Sequence, residues 1–204
     1  MLVSINPDNP QKRLLQLVVD QLRNGAVICY PTDTVYGLGC DIYNQKAVKR
    51  VHQIKSRPKD KPFSFMCASL KDISSYGHVS NLAYRLMKKH LPGPYTFVLP
   101  ALKIVPKIMI TKQKTVGIRV PANNICLTLL EMLGNPILTT SAARPDTGPP
   151  PLVQAFEVEE WFGKTVDLVI DGGPVYPDPS TVISFTGDVP EVLRQGKGDA
   201  SQFF

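Results

Sequence analysis

The chain has 204 residues, 43% hydrophobic and 20% charged, enough apolar material to offset the ordering entropy of a folded core, which excludes pervasive disorder. Its 19 prolines and 14 glycines stay below the roughly 25–30% that marks low-complexity chains, so they punctuate the loops of one domain spanning 1–204. With 23 Lys and Arg against 17 Asp and Glu, a net charge of +6, long-range attraction favours an anionic partner: nucleic acid, nucleotide or acidic metabolite.

Asn9-Pro10, followed by Leu14, Leu15, Val18 and Leu22 and then Asn24-Gly25, predicts a helix with an asparagine cap, a proline in its first turn and a glycine stop. Residues 26–30 read as a buried strand. Asn44 opens a second helix, with Val48, Val51 and Ile54 at helical spacing until Pro58 forbids continuation. Residues 63–67 form the next strand, and Leu82, Leu86 and Met87 mark a helix that ends before Pro92-Gly93. Residues 95–99 and 115–120 are strands, 125–133 a helix and 136–140 a short buried strand. Residues 154–162 are helical and 166–170 a strand. The strands 181–185 and 189–194 pair through Gly187-Asp188. This alternation predicts a layered α/β domain with a partly parallel sheet and antiparallel final segments.

No stretch approaches the roughly 18–20 uncharged apolar residues that cross a bilayer, and residues 1–13 lack a signal pattern, so the expectation is a soluble cytoplasmic protein without membrane contact. Cys29, Cys40, Cys67 and Cys126 lie far apart and read as buried thiols rather than a disulfide framework. Without Cys-x-x-Cys or close His/Cys spacing, a metal held by side chains alone is not expected. His52, His78 and His90 lack a partnered nucleophile and read as structural. No Gly-x-x-x-x-Gly-Lys-Ser/Thr loop or Gly-x-Gly-x-x-Gly fingerprint is present, which excludes a P-loop or Rossmann nucleotide site.

Ligands of open α/β sheets bind beyond the strand ends, and four polar segments lie there. Pro31-Thr32-Asp33-Thr34-Val35-Tyr36-Gly37-Leu38-Gly39 gathers two hydroxyls, a carboxylate and a phenol; it can orient a small polar substrate or form a self-satisfied turn. Lys55-Ser56-Arg57-Pro58-Lys59-Asp60-Lys61 places four cations at a helix end, suited to phosphate oxygens or to the helix dipole. Gly117-Ile118-Arg119-Val120-Pro121 carries an arginine inside an apolar strand, costly unless paired or lining a cleft. Thr139-Thr140-Ser141-Ala142-Ala143 enters the proline-rich stretch 144–151 and can bind phosphate or cap. Pro179-Ser180-Thr181-Val182 and Leu193-Arg194-Gln195-Gly196 add a hydroxyl pair and another strand-end arginine.

In this order, and together with Pro92-Gly93-Pro94-Tyr95-Thr96, these segments resemble the YrdC/YciO family, whose best understood members are threonylcarbamoyl-AMP synthases that begin tRNA t6A formation. The resemblance runs from about residue 10 to 196 and matches the short single-domain form. It implies a twisted, open mixed α/β sheet with flanking helices and a large basic cleft where ATP, L-threonine and bicarbonate meet, Mg2+ riding on the triphosphate. By analogy Thr32, Thr34 and Tyr36 hold the amino acid, with Arg119 on its carboxylate side. Lys55, Arg57, Lys61 and Arg194 serve the phosphates, Lys55 and Arg57 as catalytic residues, and Ser141 and Ser180 lie near the nucleotide. Asp33 shapes its turn rather than acting as a base.

One departure matters: synthases read Ser-x-Asn where this chain has Ser141-Ala142-Ala143. Phe63-Ser64-Phe65-Met66-Cys67, Asn6-Pro7-Asp8-Asn9-Pro10 and residues 82–91 look like the YciO branch. The leading expectation is a nucleotidyltransferase making threonylcarbamoyl-AMP, with RNA or tRNA and t6A-pathway proteins as further partners. The alternatives are a double-stranded RNA-binding module and a regulatory protein with a degenerate nucleotide pocket.

Overall fold

Apolar side chains at every second strand position give this sheet one continuous buried face, and the other face is apolar over only part of its width. The computed structural model describes residues 1–56, 63–143 and 152–204. Among them the strands are β1 (Leu2–Ser4), β2 (Ile28–Tyr30), β3 (Gly37–Asp41), β4 (Ser64–Met66), β5 (Tyr95–Pro100), β6 (Thr115–Arg119), β7 (Ile137–Ser141), β8 (Leu168–Asp171), β9 (Thr181–Ser184) and β10 (Glu191–Arg194). The helices are α1 (Lys12–Arg23), α2 (Gln45–Lys55), α3 (Leu70–Tyr76), α4 (Asn81–His90), α5 (Asn124–Leu133) and α6 (Ala155–Phe162). The strands form one mixed sheet in the order β1-β8-β2-β3-β7-β4-β6-β5-β9-β10. Pairs β1–β8, β2–β8, β4–β6 and β5–β9 are parallel, and the others antiparallel. An α/β domain with antiparallel final strands is thus what forms.

One face carries Cys29, Leu38, Phe65, Phe97, Ile118 and Leu138, and helices α2, α3, α4 and α6 cover it with Val51, Ile73, Met87 and Val158. The opposite face carries Ile28, Tyr30, Met66, Ile137 and Ile170, covered by α1 and α5 through Leu15, Val18, Leu129 and Leu130. Those two helices lie over the β8-β2-β3-β7 side, and beyond Met66 the face turns mainly to threonine, serine, glycine and arginine, with Val98 and Val182. Helix termini follow local chemistry. The Asn44 side chain accepts from the Ala47 amide at 3.0 Å and Asn123 from Cys126 at 3.0 Å, satisfying amides that the first turn leaves open. Gly134 ends α5 at φ +81°, where glycine carries no steric penalty.

Four elements differ from expectation. Helix α1 begins after Gln11, which caps it without a side-chain hydrogen bond. Pro10 therefore precedes the first turn, and it is Asn6 that accepts from the Asp8 and Asn9 amides at 2.8 and 3.1 Å. Strand β3 occupies Gly37–Asp41, which the glycine-rich motif disguised, and it pairs antiparallel with β2. The two short elements β1 and α3 carried no periodic signal long enough to register.

Gly37 shows why glycine stands in β3: a Cβ there would lie 2.5 Å from the Tyr30 ring, which is itself buried in the second core layer. Gly37→Ala is expected to destabilise the fold by about 1–3 kcal/mol through overpacking, measured as a lowered midpoint of denaturant unfolding.

Candidate functional site

Where α1 and α5 no longer cover the sheet, the exposed face becomes a cavity floor. Along β6, Val116 and Ile118 point into the core, while Thr115, Gly117 and Arg119 line the cavity. Thr96 and Val98 of β5, Ser64 of β4, Thr139 and Ser141 of β7, Val182 of β9 and Arg194 of β10 complete the walls of a space of about 250 Å³. The period-2 alternation that builds the core therefore also presents these polar groups. Gly117 keeps the floor low, since a Cβ there would run into Ser64 Oγ.

The loop between β2 and β3 closes one end. Thr32 Oγ1 donates to the Val35 carbonyl at 2.6 Å and accepts from the Thr34 amide at 3.0 Å, and the two threonine hydroxyls lie 3.0 Å apart. Arg119 ties this loop to the sheet. Its Nη1 donates to Thr34 Oγ1 at 3.1 Å and its Nη2 to Asp33 Oδ1 at 2.6 Å, with both side chains of the ion pair over nine-tenths buried, at 7% and 8% exposure. Among the described residues, Asp33 Oδ2 and Arg119 Nε are buried without a hydrogen-bond partner. From the outside, Lys197 Nζ donates to the Asp33 carbonyl at 2.7 Å and sits 3.0 Å from the Tyr176 ring centroid. Partial burial pulls its pKa below the ordinary lysine value.

Elsewhere in the cavity, Ser180 Oγ lies 2.8 Å from Thr96 Oγ1. Arg194 donates through Nη2 to the Ser180 carbonyl at 2.7 Å and to its hydroxyl at 3.3 Å. Lys55, the last residue of α2, reaches across to the carbonyls of Ser141 and Ala143, both at 3.0 Å.

Of the residues singled out in the sequence, Thr32, Thr34, Tyr36, Arg119, Ser141, Ser180 and Arg194 all line this one cavity. Lys55 stands beside it on the Ser141 carbonyl. Arg57 and Lys61 lie outside the described residues. Tyr36 reaches the wall, but its hydroxyl donates to the Gly173 carbonyl at 2.8 Å, and burial raises its pKa. Sequence reasoning missed Ser64, Thr111 and Thr115 and gave Thr96 no role. The signal for Ser64, Thr96 and Thr115 was their place on alternate strand positions in phase with Arg119; Thr111 lies before β6 and carried none. The cysteines are free and buried, and desolvation pushes the Cys40 thiol up to about 12; thiols so held are poor nucleophiles. The His90 ring packs against Phe203 at 4.8 Å and Tyr95 at 5.6 Å. Among the described residues no group of three or more His, Cys, Asp or Glu gathers as a metal site, and no helix is long and apolar enough to cross a membrane.

Fold and cavity together define an α/β protein whose half-covered sheet presents hydroxyls and arginines to a polar cavity. The chain belongs to the Sua5/YciO/YrdC family, whose profile, described as telomere recombination, matches residues 20–196. It is 44% identical to the uncharacterized protein YciO of Escherichia coli K12 over 98% of this chain and 97% of that one. The crystal structure of E. coli YciO matches with a TM-score of 0.93, covering 100% of this chain and 99% of that chain. The threonylcarbamoyl-AMP synthase of Photobacterium profundum is 32% identical over 89% of this chain and 98% of its own. The crystal structure of Pyrococcus abyssi Sua5 complexed with L-threonine matches with a TM-score of 0.88 at 33% identity, covering 96% of this chain and 57% of that chain.

The buried pair yields a stability test. Asp33→Ala leaves Arg119 uncompensated and is expected to cost about 3–5 kcal/mol, read from denaturant unfolding. Adding Arg119→Met removes the stranded charge and is expected to recover most of the loss; no recovery would show that the pair is not what the substitution breaks.

Proposed function

We propose that this chain is a nucleotidyltransferase of the threonylcarbamoyl-AMP synthase type, using L-threonine, bicarbonate and Mg-ATP. The observation that carries this reading is the likeness, over 96% of the chain, to a relative solved with L-threonine, combined with a cavity in which arginines and hydroxyls converge. The threonine amine forms an N–C bond to the bicarbonate carbon, with loss of water, to give a carbamate. A carbamate oxygen then attacks the α-phosphorus of ATP, and the bond to the leaving pyrophosphate breaks. The product is threonylcarbamoyl-AMP, for consumption in tRNA t6A modification.

Such a transfer depends on placement and on neutralising charge at the phosphates. In this proposal Thr32, Thr34 and Tyr36 frame the amino-acid end, with Arg119 towards its carboxylate, and Ser141 and Ser180 lie beside the nucleotide. Lys55, Arg57, Lys61 and Arg194 serve the phosphate oxygens. The magnesium ion enters with the triphosphate as part of the substrate.

Pyrophosphate release by the pure protein, followed with each of Mg-ATP, L-threonine and bicarbonate left out in turn, tests the proposal. Release that requires all three is the expected result. Release independent of threonine or bicarbonate overturns it, and RNA binding without any turnover favours the RNA-binding alternative.

The missing amide of the family's Ser-x-Asn segment predicts slow turnover, because loss of one positioned donor costs on the order of 100- to 1000-fold in rate. Ala143, whose carbonyl receives the Lys55 ammonium, is the position where asparagine is absent. Ala143→Asn is expected to raise the rate of pyrophosphate release at least tenfold; an unchanged rate rejects this account of the departure.

A further inference from the structure

We propose that Lys112 and Lys114, at the tip of the turn leading into β6, form a second cationic wall that receives the outer phosphates of the nucleotide, opposite Lys55. This rests on the nucleotide reading of the cavity.

The turn is tightly closed. The Thr111 amide donates to the Thr115 carbonyl at 3.1 Å and the Lys114 amide to the Thr111 carbonyl at 3.0 Å. The Thr115 amide donates to Thr111 Oγ1 at 3.0 Å, and the two hydroxyls lie 2.8 Å apart. Both threonines line the cavity, while Lys112 and Lys114 between them are exposed. A turn whose two feet stand in the cavity wall holds its tip at the mouth.

Strand register then fixes what the tip faces. Gly117 of β6 and Thr139 of β7 flank Ser64 of β4 on its two sides. Thr115 and Ser141 lie two residues further in the same direction, two strand spacings apart, or about 10 Å. Ser141 is where the Lys55 ammonium sits, 3.0 Å from its carbonyl. The backbone of the lysine-bearing turn therefore stands across this end of the cavity from the Lys55 ammonium, while Arg119 and the Thr32–Thr34 hydroxyls mark the other end.

Charge supports the assignment. Residues 73–130 carry eight lysines and arginines and no aspartate or glutamate, so no carboxylate from β5, β6 or their connection offsets the tip. Among the described residues neither lysine is in an ion pair. Lys114 also adopts φ +59°, a left-handed conformation that an L-residue with a long side chain enters at a cost glycine would avoid.

Calorimetric titration with sodium tripolyphosphate, Mg-ATP and L-threonine tests the proposal. Lys112→Gln/Lys114→Gly is expected to weaken tripolyphosphate and Mg-ATP binding at least tenfold while leaving threonine affinity within twofold. Lys114→Gly alone is expected to raise the thermal unfolding midpoint as it weakens tripolyphosphate binding, a combination a purely structural lysine does not give. If the double variant fails to fold, Lys112→Gln alone is expected to weaken tripolyphosphate binding about threefold. Equal tripolyphosphate affinity in variant and parent overturns the proposal, as does a parent protein that binds none. Lysine-dependent tripolyphosphate binding without pyrophosphate release would leave the phosphate wall standing and remove the synthase reading, whereas turnover with unchanged variant affinity would do the reverse.

Discussion

Arg119 enters the sheet as a strand residue, and a guanidinium taken out of water needs a counter-charge before any ligand arrives. Asp33 supplies it from the loop between β2 and β3, several strands away in the sheet order. The pair thereby fixes the far end of the cavity, because the same guanidinium holds Thr34 and the Asp33 backbone is held in turn by Lys197. A hydrophobic substitute would close the wall with less electrostatic cost, but it would leave the threonine turn without a partner. The two orphan atoms, Asp33 Oδ2 and Arg119 Nε, are what such a device leaves behind. Buried polar groups without partners are rare in folded proteins and concentrate where a further partner is due.

The cavity exists because the sheet is wider than the helices available to cover its second face. Helices α1 and α5 bury the half that carries Ile28, Tyr30, Met66, Ile137 and Ile170. On the other half, the positions in phase with those residues are mainly threonine, serine, glycine and arginine, with Val98 and Val182 among them. Uncovered apolar residues there would bring the aggregation hazard of an open hydrophobic face, whereas hydroxyls keep it wet and able to bind. The opposite face pays no such penalty, because α2, α3, α4 and α6 seal it completely enough that its strand residues are fully buried.

Much of this was legible in the sequence, and the boundary between what could and could not be read is physical. Helices α2 and α4 announced themselves through apolar residues at helical spacing, and α2 also through its capping Asn44. Strand β3 did not, because Gly37 and Gly39 are dictated by a neighbouring ring and backbone rather than by strand propensity. Arg119 was conspicuous as a charge in an apolar run, yet its partner could not be inferred, since Asp33 lies 86 residues away and the pairing depends on the crossing order of the sheet. Thr111 and Thr115 were invisible for the same reason. A threonine beside a lysine reads as surface until the register shows that it stands in line with Ser141.

The Lys55 contacts sharpen the functional question. Its ammonium already rests on two carbonyls at the end of β7, one of them that of Ala143, the position that the Ser-x-Asn pattern gives to asparagine. Carbonyl dipoles hold a lysine more weakly than an ionised phosphate does, since opposite full charges add Coulomb attraction to the hydrogen bond. A polyphosphate entering from the mouth would therefore draw Lys55 off the Ser141 and Ala143 carbonyls rather than find it locked in place. The segment Ser141–Ala143 would then lose the tie that fixes it, and in this chain no amide follows to take up the role. In the proposed reaction, binding of the anion and ordering of the wall that must orient it would pull against each other, and that opposition is the physical reason the proposal expects slow turnover.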